Sequence, residues 1–104
     1  MDYIEIEKDQ IPYRFDIAIE EKTYTFEVHY NAENDYFTVD LYRNGQLVIA
    51  GVKIVYGRPL FAAHMHLDVL PVQIVPLDLS GQTERVTWDN LNETVFLWLV
   101  NEYG

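Results

Sequence analysis

A chain of 104 residues is the length of one domain, and with 49% hydrophobic residues it can bury a single core. The absence of cysteine excludes disulfides, thiolate metal sites and cysteine nucleophiles. Seventeen acidic against seven basic side chains, a formal net charge of -10, disfavour binding to a phosphate backbone and leave proteins as the expected partners.

The chain starts Met1-Asp2-Tyr3-Ile4-Glu5, without the basic start and apolar run of a signal peptide, and no segment approaches the ~20 apolar residues of a membrane span. A soluble, unexported protein is expected. Ile4 and Ile6 alternate with Glu5, Glu7 and Asp9, which predicts a first strand with a solvated acidic face. Tyr13, Phe15, Ile17 and Ile19 alternate with Arg14, Asp16, Ala18 and Glu20, a period of two that a helix would not give. After Glu20-Glu21-Lys22, Tyr24, Phe26, Val28 and Tyr30 repeat the pattern against Thr25, Glu27 and His29, so the two runs predict a hairpin.

Asn31-Ala32-Glu33-Asn34-Asp35 is a turn-forming cluster, followed by Phe37, Val39 and Leu41 alternating with Thr38, Asp40 and Tyr42. Asn44-Gly45 is the dipeptide best suited to positive φ at both central positions of a type I′ turn. It leads into a long strand, Leu47 to Tyr56, that is apolar on both faces and has Gly51 in its middle, where a bulge or bend is expected. Gly57-Arg58-Pro59 ends it. A short helical or irregular crossover is expected around residues 58–70, then a strand from Val72 to Leu77 that Pro76 confines to an edge or its end. Turns at Ser80-Gly81-Gln82-Thr83 and Asp89-Asn90-Leu91 precede a last strand, Thr94 to Val100, expected to be buried on both faces, with a helix as the alternative. The whole, residues 1–104, reads as one all-β domain, a small antiparallel barrel or sandwich of six to seven strands.

The segment His64-Met65-His66-Leu67-Asp68 holds the most tempting chemistry, because alternate residues of an extended chain point the same way and two imidazoles with a carboxylate could meet one ion. It superficially matches the His-x-His-x-Asp-His signature of metallo-β-lactamases, but Val69 stands where the last histidine belongs and the chain is too short for that fold. No metal or other cofactor is expected. Ser80 lies in a turn rather than in a Gly-x-Ser-x-Gly elbow, and no Gly-x-Gly-x-x-Gly or Walker-type loop occurs. No catalytic residue is assigned.

Charge is unevenly spread. Residues 41–67 contain Arg43, Lys53 and Arg58 and no acid, a local +3, while the rest of the chain sums to 4 minus 17, or -13. Within that segment Arg58, Leu60, Phe61, His64, Met65 and His66 form an acid-free, apolar stretch in a connection that is ordinarily polar; such a stretch needs burial, which either a docking surface for another protein or another copy, or the domain's own core, would supply. Asn44, Gly45, Gly51 and Gly57 are expected to set the turns.

Read in order, Ile11-Pro12-Tyr13-Arg14-Phe15, the aromatic strand ending at Tyr30-Asn31, Tyr36 to Tyr42, Asn44-Gly45, Gly51-Val52-Lys53-Ile54-Val55, Gly57-Arg58-Pro59-Leu60 and Asp89-Asn90-Leu91 resemble the phage baseplate plug family. The resemblance covers about residues 4–100 and departs at Phe37, often Trp in that family, and at the Phe96-Leu97-Trp98-Leu99 ending. It implies a non-enzymatic structural protein of a phage or prophage tail, located in the virion baseplate after synthesis in the host cytoplasm. Its implied partners are other tail proteins of the hub or tube-initiator class. A small β-sandwich binding module for carbohydrate or peptide is the alternative.

Overall fold

A computed structural model of the chain describes residues 2–61 and 70–100. Among these residues seven strands run in chain order: β1 (Tyr3–Ile4), β2 (Tyr13–Ile19), β3 (Lys22–Asn31), β4 (Tyr36–Arg43), β5 (Gln46–Lys53), β6 (Gln73–Leu77) and β7 (Phe96–Val100). They form a four-stranded antiparallel sheet ordered β2-β3-β4-β5 and a three-stranded antiparallel sheet ordered β1-β7-β6. The sheets do not close on each other, so of the two expected architectures the molecule takes the sandwich.

Alternation explains the packing. Tyr24, Phe26 and Val28 of β3 and Phe37, Val39 and Leu41 of β4 are buried, while their polar neighbours in the strands face out. They share one core with Ile74 of β6 and Leu97 of β7, and with Ile54, Leu60, Phe61, Val86, Leu91 and Val95 from the connections. Each such side chain contributes about 1.5–3 kcal/mol by leaving water, which makes this shared interior the main reason the sheets stay together.

Two hairpins close with two-residue loops. Arg43 pairs Gln46 across Asn44 (φ 53°) and Gly45 (φ 78°), as the dipeptide predicts. Ile19 pairs Lys22 across Glu20 (φ 49°) and Glu21 (φ 70°), so residues with side chains hold positions that glycine and asparagine normally occupy. The expected irregularity at Gly51 is a bulge: opposite Val39 and Leu41 stand Val52 and Ile49, which leaves an extra residue on β5, and Gly51 has φ 69°. A second register shift follows between Leu41 and Tyr42.

Three expectations are corrected. The first strand pairs only at Tyr3–Ile4 and then gives way to a 3-10 turn at Lys8–Gln10, although Ile4 and Ile6 are buried and Glu5 and Glu7 exposed. The run from Leu47 to Tyr56 is not a strand to its end, since β5 stops at Lys53; Leu47 and Val48 are exposed on this edge strand, and Val55 is exposed in the turn that follows it. The last strand is shorter than Thr94 to Val100, running Phe96–Val100, and it is not buried on both faces: Leu97 is buried in the core while Phe96 and Trp98 on the other face are half-buried. Pro76 does lie in an edge strand of its sheet.

The irregular segment 78–95 is held by side chains that act for the backbone. Asn90 exchanges hydrogen bonds with Thr87, its Oδ1 accepting from the Thr87 N–H at 2.8 Å, and its carbonyl accepts the N–H groups of Glu93, Thr94 and Val95. Asp78, buried, accepts from the Ser80 hydroxyl at 2.6 Å, the Ser80 N–H at 2.9 Å and the Thr83 hydroxyl at 2.8 Å. These donors hold its carboxyl down at a pKa of about 2, the Ser80 hydroxyl contributing most.

Candidate partner interface

The turn after β5 places the expected docking residues. The Gly57 N–H donates to the Pro76 carbonyl at 2.8 Å and the Leu60 N–H to the Ile74 carbonyl at 2.8 Å, so this segment runs along the free edge of β6 and satisfies its carbonyls. Arg58 is exposed beside that edge, its N–H bonded to the Val55 carbonyl at 3.1 Å. Leu60 and Phe61 are not on the surface: they are 3% and 1% exposed, and Phe61 packs edge-to-face on Phe26 with centroids 6.1 Å apart. An apolar pair in a connection is here a plug for the sandwich's own interior. His64, Met65 and His66 lie outside the described residues.

An aromatic cluster lies on the outer face of the three-stranded sheet. Leu97 and Ile74 point inward, so the alternate residues Phe96 and Trp98 of β7 and Leu77 of β6, all half-buried, lie on the other face, as does Val75, which is only 8% exposed. Tyr3 of β1, opposite Trp98, completes the row, with its ring 4.6 Å from Phe96 and 5.3 Å from Trp98. Tyr3 is 46% exposed and Leu79, just past β6, 61% exposed. The rings meet at 53°, 64° and 70°, a tilted cluster rather than a flat platform. Trp98 Nε1 donates to the Leu77 carbonyl at 3.1 Å, which fixes the indole across two strands.

The sequence pattern alone does not locate this face. The available signal was parity: in Phe96-Leu97-Trp98-Leu99 one pair must face out if the other faces in. Which pair does so depends on where β7 sits, in the middle of a sheet whose second layer covers only one side.

The outer face of the four-stranded sheet is polar and ordered. Arg14, Glu27 and Asp40 stand directly opposite one another on β2, β3 and β4. Arg14 Nε donates to Glu27 Oε1 at 2.6 Å, and its guanidinium donates to the Tyr42 hydroxyl at 2.9 Å while lying 4.2 Å from that ring's centre. Hydrogen bonds from Arg14 and then His29 hold the Glu27 carboxyl below its usual pKa. On the other outer flank Lys53 sits 4.6 Å over the Tyr36 ring.

Among the described residues, no helix is long and apolar enough to cross a membrane. No curated protein matches the chain. A family described as cyanophage baseplate Pam3 plug gp18 matches residues 1–102, in agreement with the resemblance carried by the strand and turn motifs.

Proposed function

The chain belongs to the cyanophage baseplate plug family, and from that membership we propose that it is a non-enzymatic adaptor of a tail baseplate, acting through contacts with hub or tube-initiator proteins. The observation that carries the reading is the aromatic outer face of Tyr3, Phe96 and Trp98, extended by Leu79. A sandwich needs only its inner faces to fold, and an interface core is typically enriched in tyrosine and tryptophan. Arg58, on the turn that borders β6, supplies a cation at the rim of the same sheet, where charge orients an acidic partner more than it adds affinity. Association with a second copy uses the same logic, since the chain carries a net charge of -10 that could face Arg58. The net charge of -10 argues against nucleic acid as the partner.

Tyr3→Ser combined with Leu79→Asp tests the face without touching the core. The double variant should keep the circular dichroism spectrum of the parent and lose co-purification with co-expressed neighbouring tail proteins, and Arg58→Glu should weaken the same complex to a smaller degree. A folded double variant that still assembles would place the interface elsewhere. The carbohydrate-module alternative has a separate arm: retention of the parent on glycan resins, lost in the double variant, would support it. The tilted rings speak for a protein partner over a flat sugar.

A further inference from the structure

The polar face of the four-stranded sheet contains an arrangement that strand pairing by itself does not favour. Glu27 and Asp40 are directly opposed on adjacent strands, where like charges destabilise the pair. His29 Nε2 lies between them, 2.8 Å from Glu27 Oε2 and 3.4 Å from Asp40 Oδ2. One ring nitrogen carries at most one proton, so it can donate fully to only one of these carboxylates.

Each carboxylate is already anchored through its other oxygen. Glu27 Oε1 receives the Arg14 Nε–H at 2.6 Å, and Asp40 Oδ1 receives the N–H of Gly51 at 2.7 Å. Gly51 is the bulge residue of β5, so the same irregularity that bends the edge strand holds the Asp40 carboxylate in place. Outer hydrogen bonds of this kind commonly orient metal ligands and leave one lone pair of each free for the ion.

We propose that Glu27, His29 and Asp40 form a surface site for a divalent first-row transition ion, with zinc as the best match. The three ligand atoms lie within 4.8 Å of one another. Ligands about 2.0–2.2 Å from a tetrahedral zinc stand about 3.3–3.5 Å apart, so the Asp40 to His29 separation already fits and the Glu27 oxygen has only to move outward by about half an ångström. The imidazole selects zinc, copper or nickel over magnesium and calcium, whose preferred ligands are oxygens. Binding requires Nε2 as the acceptor, with the ring proton on Nδ1. The side chains are 42%, 21% and 16% exposed for His29, Glu27 and Asp40, which leaves the remaining coordination positions open to water. A bound dication offsets the repulsion between the facing carboxylates. The proposal is independent of the partner interface, which lies on the other sheet.

The full chain titrated calorimetrically with zinc chloride should take up one ion per chain, and a tenfold excess of magnesium should not displace it. Asp40→Asn keeps the acceptor for Gly51 and removes the charge, and His29→Ala removes the nitrogen; each should weaken zinc binding at least tenfold while the circular dichroism spectrum stays unchanged. The variant His64→Ala with His66→Ala controls for the other histidines and should bind like the parent. In the parent, zinc should shift the His29 imidazole resonances first. No zinc uptake by the parent overturns the proposal, as does binding that survives both single changes, binding abolished by the His64/His66 variant alone, or displacement by magnesium. If His29→Ala were to unfold the chain, the His29 resonances and the Asp40→Asn titration would decide.

Discussion

At the scale of single residues, Asp78 shows how one buried carboxylate organises a turn that has no regular structure. Its pKa is lowered from 3.8 to about 2, so its stabilising contribution is fully present above 3.8 and is lost as pH falls through about 2. Glu27 and Asp35 are shifted in the same direction, the latter by the Trp88 N–H and then the Tyr30 hydroxyl, and they add to the same acid sensitivity. The melting temperature should therefore fall between pH 4 and pH 2, and Asp78→Asn, which cannot ionise, should flatten that dependence while lowering stability at neutral pH. An unchanged pH slope would mean that folding does not lower the Asp78 pKa. Phe61 gives the second residue-scale prediction. Because it is 1% exposed and wedged on Phe26, Phe61→Ser should destabilise by about 3 kcal/mol or more, measured by urea unfolding, whereas an exposed phenylalanine would tolerate the change.

At the scale of elements, the two tight hairpins contrast the same geometry built from different residues. Gly45 has φ 78° and open space where a Cβ would go, so only backbone strain opposes a side chain there. Gly45→Val should cost on the order of 1 kcal/mol or more. Glu20-Glu21 already carries that strain, and replacing the pair by Asn-Gly should stabilise the domain by about 1 kcal/mol, read as a higher urea midpoint with an unchanged slope. The difference also explains what the sequence could reveal. Asn44-Gly45 announces its turn through residue chemistry, while the turn at Glu20-Glu21 is legible only because the alternation on either side restarts. The strands β2, β3 and β4 were readable because each has one wet face and one dry face. The first and last strands were overextended by the same reasoning, since Glu5 and Thr94 continue a pattern after the pairing partner has ended. The docking segment was readable as apolar and in need of burial, with the domain's own core and a partner both open as the source: only the position of the β6 edge shows that the domain itself covers Leu60 and Phe61.

At the scale of the molecule, the two sheets present unlike exteriors, one polar with a row of charges, the other aromatic, and neither exterior is needed to hold the sandwich together. The candidate site residues were hard to find in the sequence for this reason: Glu27, His29 and Asp40 come from two strands and meet only through the pairing of β3 with β4, and Tyr3 meets Trp98 only because the chain's beginning lies beside its last described strand. The irregular β5 edge has a further bearing on assembly. Two register shifts within eight residues interrupt the row of outward N–H and C=O groups, so a straight incoming strand could align with only a few of them at a time. The exposed Leu47 and Val48 thus lie on a border that discourages sheet-to-sheet growth. On the proposed reading, contacts with other proteins run through side chains on a face and leave the backbone of β5 unrecruited. Amide exchange of Gln46–Lys53 should accordingly be the same in the free chain and in its complexes, and slower exchange there on assembly would show that the border is a strand-adding seam after all.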